Sequence, residues 1–163
     1  RHVYMSFFPS GPRMGVVMGI ALFMGISSGL GLGIGGYTFI YAKGISYMGN
    51  APETCANCHV MQEHLDAWAK SSHKDVAVCN DCHTPHHFIG KYWVKAMNGF
   101  HHSLAFTTGH FPDTIQIKPS NRAVTEGTCR YCHADIVAGI DQFGHGPDAL
   151  DCIRCHDTVG HLK

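Results

Sequence analysis

Every cysteine in the chain belongs to one spacing pattern. The eight cysteines form four C-x-x-C pairs, Cys55/Cys58, Cys79/Cys82, Cys129/Cys132 and Cys152/Cys155, and a histidine follows each pair directly: His59, His83, His133 and His156. Three chemistries use cysteines paired in this way. A disulfide scaffold has no use for a histidine after each second cysteine. Two zinc sites built from four thiolates each would employ all the cysteines but leave those histidines without a role. Covalent haem attachment explains both elements, because the thiols bond the porphyrin vinyl groups and the adjacent imidazole is placed to reach the iron. The pattern predicts four covalently bound c-type haems, with the eight cysteines as thioether attachments.

Four haems with two axial ligands each need more donors than the motifs contain. The first motif, CANCHVM, carries a methionine two residues beyond its histidine, which CNDCHTP, CRYCHAD and CIRCHDT lack. His59 and Met61 are both stereochemically able to ligate the first iron, and spacing does not choose between them. The remaining candidates are His64, His73, His86, His87, His101, His102, His110, His145 and His161. Spacing alone pairs none of them with a particular haem.

The elements that must position these donors follow from composition. Residues 14–42 contain no charged side chain. A bilayer core needs roughly 20 apolar helical residues, so this stretch is long enough to span. A cleavable signal peptide is the alternative, but its apolar core is shorter and no A-x-A-like site follows. A retained single-pass anchor is expected, with Tyr37 and Tyr41 near the outer interface. Arg1 and Arg13 before the span and Lys43 after it lean weakly towards a cytoplasmic N-terminus. Bacterial c-type haem attachment takes place outside the cytoplasmic membrane, which puts the haem domain in the periplasm. The expected organisation is therefore a cytoplasmic segment at 1–13, a transmembrane helix at 14–42, a linker at 43–54 and a periplasmic tetrahaem domain at 55–163. Small-xxx-small spacings at Gly15/Gly19, Gly25/Gly29 and Gly29/Gly33 suit close contact with another copy or subunit, beside ordinary glycine enrichment of membrane helices.

A domain this short cannot bury four porphyrins inside a protein core, so the porphyrins must themselves be the core. Sheet signals are absent. The expected fold class is mainly α with much irregular chain. A formal net charge of +0 points to no nucleic-acid partner. Between the second and third motifs, PHHFIGKYWVKAMNGFHHSLAF places Lys91, Lys95, Asn98 and His102 on one helical stripe. Phe88, Tyr92, Trp93, Phe100, Leu104 and Phe106 form a broad aromatic and apolar surface, suited either to haem packing or to a lipid interface. Lys95 and His102 can bind a quinol oxygen, and a neutral imidazole can accept its proton. Gly90 and Gly99 count against a helix here.

With anchor, motifs and CANCHVM together, the chain resembles the NapC/NirT-type membrane-anchored tetrahaem cytochrome c quinol dehydrogenases, and among them the short members that feed cytochrome c nitrite reductase. The resemblance rests on CxxCHxM at 55–61, SSH at 71–73, CNDCHTPHH at 79–87, the lysines of KYWVK, and His161 after the last motif. It implies that Met61 replaces His59 as ligand to a first haem at the membrane surface, whose other face is left open to quinol. It implies that His83, His133 and His156 are motif ligands, that His73 and His161 are distal ligands, and that Lys95 is the quinol-site lysine. It further implies menaquinol as substrate, a multihaem nitrite reductase catalytic subunit as partner, and a place in the bacterial cytoplasmic membrane. One departure stands out: family members carry a carboxylate shortly after the lysine, whereas no Asp or Glu occurs from Lys91 to His110. An ungapped reading puts His102 there, either as proton acceptor or as a ligand closing the first iron. A relay that never touches quinol, and a quinol dehydrogenase serving a nitrate or hydroxylamine reductase, are the alternative functions.

Overall fold

A computed structural model of the chain describes residues 12–142 and 151–161. Most of the expected cytoplasmic segment, including Arg1, and the candidate ligand His145 lie outside the described residues. The chain divides into two units, Arg1–Gly44 and Ile45–Lys163.

The first unit is one long helix, α1 (Pro12–Tyr41). Proline suits its first position because the missing N–H is one that a helix start leaves unpaired anyway. Thirty residues at 1.5 Å each give about 45 Å, more than the roughly 30 Å of bilayer hydrocarbon. The segment Arg13–Tyr41 has a mean hydropathy of 1.9 and none of it is buried, as befits a helix whose surface meets lipid. The helix ends where Lys43 turns left-handed at φ 53°, with the Ala42 N–H still donating to the Thr38 carbonyl.

The second unit carries α2 (Gln62–Trp68), α3 (Cys79–His83), α4 (Phe88–Thr108), α5 (Pro119–Cys132), α6 (Ala134–Asp141) and α7 (Cys152–Cys155), with 3-10 turns at Gly44–Met48, Pro52–Asn57 and His59–Met61. No strand occurs among the described residues. The fold is mainly helical with irregular connections. The segment read as a linker folds into 3-10 turns.

No apolar side chain is buried among the described residues; the buried ones are Ser71, Thr84, Lys95 and Thr128. Hydrogen bonds therefore tie the helices together, and α5 carries most of them. Thr128 donates to the Cys82 carbonyl at 3.0 Å, which docks α5 against α3. The Glu126 carboxylate accepts from the Cys152 and Ile153 N–H groups at 3.0 and 2.8 Å, so α5 also caps the start of α7. Arg122 pairs with Asp151 at 2.5 Å and holds its carboxyl at about 2. The last turn of α5 is itself the third motif. One helix thus fixes three of the four cysteine pairs.

Helix α4 forms despite its two internal glycines. His87 caps it by accepting from the Gly90 N–H at 3.1 Å, and a Cβ at Gly90 would lie 2.2 Å from that imidazole. Gly109 ends it in the left-handed conformation at φ 70°. The stripe read from the sequence faces the rest of the unit at Lys95 and Asn98, whose side chain accepts from Asn121 of α5 at 3.0 Å. Phe88, Trp93, Phe100 and Phe106 are exposed.

Glu126→Ala should lower the stability of the haem-loaded protein by about 2 kcal/mol, because it leaves two helix-start N–H groups without their charged acceptor. Glu126→Gln, which keeps an acceptor oxygen, should lose less. Thermal unfolding of the detergent-solubilised protein by circular dichroism tests this, and an unchanged midpoint for Glu126→Ala would refute the capping role.

Candidate functional site

The four cysteine motifs do not share one backbone conformation. In the second, Cys79–His83 is a single helical turn, begun where the Asp81 carboxylate accepts from the Val78 N–H at 2.9 Å. In the third and fourth, the His133 N–H donates to the Cys129 carbonyl at 2.9 Å and the His156 N–H to the Cys152 carbonyl at 2.8 Å. Each of these turns carries its histidine beyond the second cysteine in the same way. The first motif breaks this pattern. Cys58 is extended at φ −90°, ψ 115° and separates one 3-10 turn from the next. Beyond the break His59 is exposed, while Met61 is half-buried and its N–H turns back to the Cys58 carbonyl at 2.9 Å.

The motifs follow one another in space as they do in sequence. The Cys55 thiol is lowered to about 7, first by its hydrogen bond with Cys79 and also by the Lys95 charge, so the first motif adjoins the second. Burial, Asp81 and Cys132 raise Cys82, and Cys129 in turn senses Cys82, which joins the second motif to the third. Burial and Glu126 raise Cys152 to about 11, with Cys129 adding to the effect, which joins the third to the fourth. Thioethers do not titrate, so these shifts matter as records of proximity. A cavity of about 430 Å³ between Pro85–His87 and α5 lies where the second and third motifs meet.

Two histidine pairs have the spacing of trans ligands. Imidazoles on opposite sides of one metal ion, with metal–nitrogen bonds of about 2.0–2.1 Å, have ring centroids roughly 6 Å apart. His83 and His161 stand 5.9 Å apart with planes 28° from parallel, and His73 and His133 stand 6.1 Å apart at 72°. The Nδ1 atom of His161 lies 3.2 Å from the His64 carbonyl, and that of His73 lies 3.1 Å from the Ser72 hydroxyl. A ring whose Nδ1 is engaged in this way presents Nε2 to a metal. Burial, His161 and His64 push His83 down to about 4, so its imidazole is neutral and its lone pair available.

Other candidates have other partners. His87 is the α4 cap, His86 stacks on Tyr131 at 4.2 Å, and the Nδ1 of His101 lies 2.7 Å from the Met97 carbonyl. His64 packs edge-on against His161 at 5.0 Å.

Lys95 is 4% exposed. Its ammonium donates to the Gly49 carbonyl at 2.5 Å and, more weakly, to the Met48 carbonyl at 3.5 Å. Asn80 of the second motif also donates to Gly49, at 3.2 Å. Burial and Lys91 lower the Lys95 pKa, with Cys55 opposing. Lys95 and the first motif are thus brought together. His102 is exposed, and its pKa is lowered by partial desolvation and then by Lys118 and His101, which keeps its imidazole neutral. Tyr47, Met48 and Gly49 were missed in the sequence, where nothing local marks residues whose partner lies 46 positions further along.

The donor set suits covalent haem: paired thiols at each motif, neutral imidazoles at trans spacing, and a polypeptide that leaves its apolar side chains uncovered. A helical unit of this kind joined to an apolar helix defines a membrane-anchored c-type cytochrome. Residues 15–163 match the NapC/NirT cytochrome c family, N-terminal region, and the chain belongs to that family. It is an electron-transfer protein with covalently bound haem c. It is 33% identical over 144 residues to the cytochrome c-type protein NrfH of Wolinella succinogenes, covering 82% of this chain and 81% of that one. It is 30% identical over 125 residues to the cytochrome c nitrite reductase subunit NrfH of Nitratidesulfovibrio vulgaris, covering 75% and 74%. Its fold is similar to a chain in the crystal structure of a cytochrome c nitrite reductase NrfHA complex bound to the HQNO inhibitor, with a TM-score of 0.61, 27% identity and coverage of 86% and 90%.

Proposed function

We propose that the chain is a tetrahaem menaquinol dehydrogenase of the bacterial cytoplasmic membrane, with its haem domain in the periplasm, and that it delivers electrons to the catalytic subunit of an ammonia-forming cytochrome c nitrite reductase. The observation that carries this reading is the buried Lys95 ammonium beside the first haem-attachment motif, on a helix whose exposed face is aromatic. The kinship with NrfH proteins supports the partner.

In this reading Met61, in place of His59, would hold the first iron. The break at Cys58, the inward turn of Met61 and the exposure of His59 support that choice. His83 with His161 would hold the second haem, His73 with His133 the third, and His156 the fourth. When bound, the haems supply a row of one-electron carriers, and the protein sets their spacing and tunes their potentials. Menaquinol becomes menaquinone by giving up two electrons and two protons. Lys95 has three N–H donors. Two point to the Gly49 and Met48 carbonyls, and the third binds and orients a quinol oxygen. His102, neutral at physiological pH, takes one proton and releases it to periplasmic water, which also takes the second. The exposed aromatic face of α4 lies at the lipid interface, where a quinol leaves the bilayer. One observation favours the alternative of a relay that never meets quinol: the chain's own carbonyls already engage the Lys95 ammonium.

Anaerobic titration of the detergent-solubilised protein with menaquinol should reduce haem, as followed at the α-band. If dithionite reduces all four haems and menaquinol none, the quinol reading is lost. In the same titration Met61→Leu should change the spectrum and potential of one haem and slow reduction at least several-fold, and unchanged values would assign that iron to another ligand. The acid limb of quinol oxidation should lie below pH 6.5, the ordinary histidine value, because the His102 pKa is lowered. Lys118→Ala removes a positive neighbour, raises that pKa and should move the limb to higher pH. A limb that stays in place would remove His102 from proton transfer.

A further inference from the structure

Among the described residues the Lys95 ammonium is enclosed without a carboxylate partner. Its described contacts are two carbonyls and two aromatic rings: its Nζ stands 5.8 Å from the centroid of Tyr47 and 5.8 Å from that of Tyr92. Tyr92 is a neighbour on the same helix. Tyr47 comes from the opposite side, from the 3-10 turn Gly44–Met48, and directly precedes the residues whose carbonyls take the ammonium.

Its seat on α4 is shaped for a ring. Gly99 follows Lys95 by one helical turn on the same face. A Cβ there would lie 3.4 Å from Cε1 of Tyr47, in van der Waals contact with the ring edge, and the methyls of a branched side chain would press on it. The ring thus meets both the glycine surface of α4 and the ammonium. Its phenol is half-buried and kept neutral by burial, and it stands within electrostatic reach of Cys55 and Cys58 of the first motif.

We propose that Tyr47 is a positioning residue of the quinol site: its ring, seated on Gly99, holds the Lys95 ammonium towards the first haem-attachment motif, where a quinol oxygen receives its hydrogen bond. The proposal rests on the quinol reading given above. An aromatic face attracts a cation through its quadrupole, and the attraction strengthens as water is excluded. With a ring there, the ammonium keeps its charge and orientation without an anion that would compete with the quinol oxygen. A leucine would fill similar space without that attraction. A phenylalanine would keep it.

The test uses the full haem-loaded chain in detergent. Two quantities are measured: the KM and kcat for menaquinol oxidation, and the Kd of oxidised menadione by calorimetry. Tyr47→Leu should raise KM and Kd by about 3- to 30-fold with kcat little changed, the range expected for loss of a partly desolvated cation–π contact. Tyr47→Phe should restore both to within about twofold. Gly99→Val, which displaces the ring without altering it, should act as Tyr47→Leu does. Wild-type KM and Kd in Tyr47→Leu would overturn the proposal, provided Lys95→Gln is impaired in the same assay. If Lys95→Gln oxidises quinol normally, the quinol-site reading itself fails, and the role of Tyr47 with it. If Tyr47→Leu and Gly99→Val lose the first haem while Tyr47→Phe keeps it, Tyr47 serves folding, which also overturns the proposal.

Discussion

The constraint on which the haem-bearing unit depends is that, among its described residues, the polypeptide buries no apolar side chain of its own. Among the described residues, only Ser71, Thr84, Lys95 and Thr128 are buried. Apolar burial is the main favourable term in folding, at roughly 25 cal/mol per Å². Here that term must come from porphyrin faces pressed against side chains. Hydrogen bonds fix the motifs that would hold the porphyrins. Through Thr128 and Glu126, α5 locks the second and fourth motifs to the helix whose last turn is the third. A row of electron carriers needs such fixed neighbours, and a core held by dispersion alone would specify them less sharply.

The first motif differs from the others by a small change of backbone. In the other three, a helical turn carries the histidine past the second cysteine. At Cys58 the backbone becomes extended, so the residues beyond start a new turn with a different heading. The sequence does not forbid a continuous turn there, since Ala56 and Asn57 are no worse for a helix than Asn80 and Asp81. The difference lies in what begins the turn. The second motif has Asp81 to cap it and Thr84 to bond back to the Asn80 carbonyl. Val60 occupies the place of Thr84 in the first motif, and the turn there begins at Pro52 instead.

What the sequence made legible follows the range of the interactions. Haem attachment is written in five consecutive residues and was plain. The apolar helix and the amphipathic stripe of α4 are written in periodicity, and both appear. Gly90 looked like a weakness in α4, but it is the space into which the His87 imidazole folds to cap that helix. Histidine was read there as a metal donor, and its capping role went unseen because it depends on the neighbour's missing side chain. The pairings of His83 with His161 and of His73 with His133 join residues too distant for spacing to connect. The enclosure of Lys95 by Tyr47–Gly49 was hidden for the same reason, in a stretch that composition marks only as a linker.

That enclosure also bears on the missing carboxylate between Lys91 and His110. A buried ammonium is costly unless it is compensated, and the usual compensation is an ion pair. An Asp or Glu beside Lys95 would offset its charge and raise its pKa. Carbonyls and ring faces instead leave the charge in place, with Lys91 beside it lowering the pKa further. On the proposed reading, that positive field favours the deprotonated form of a bound quinol and so eases its oxidation. The proton then needs an acceptor that does not neutralise the lysine. His102 lies seven residues along the same helix face, about 10 Å by the helical rise. It is far enough from Lys95 to serve the hydroxyl at the opposite end of the ring. On that reading, partial burial and then the Lys118 charge lower its pKa, so it releases the proton it receives. On the proposed reading, a histidine in place of the carboxylate separates charge stabilisation from proton acceptance, whereas a carboxylate would combine both at one position.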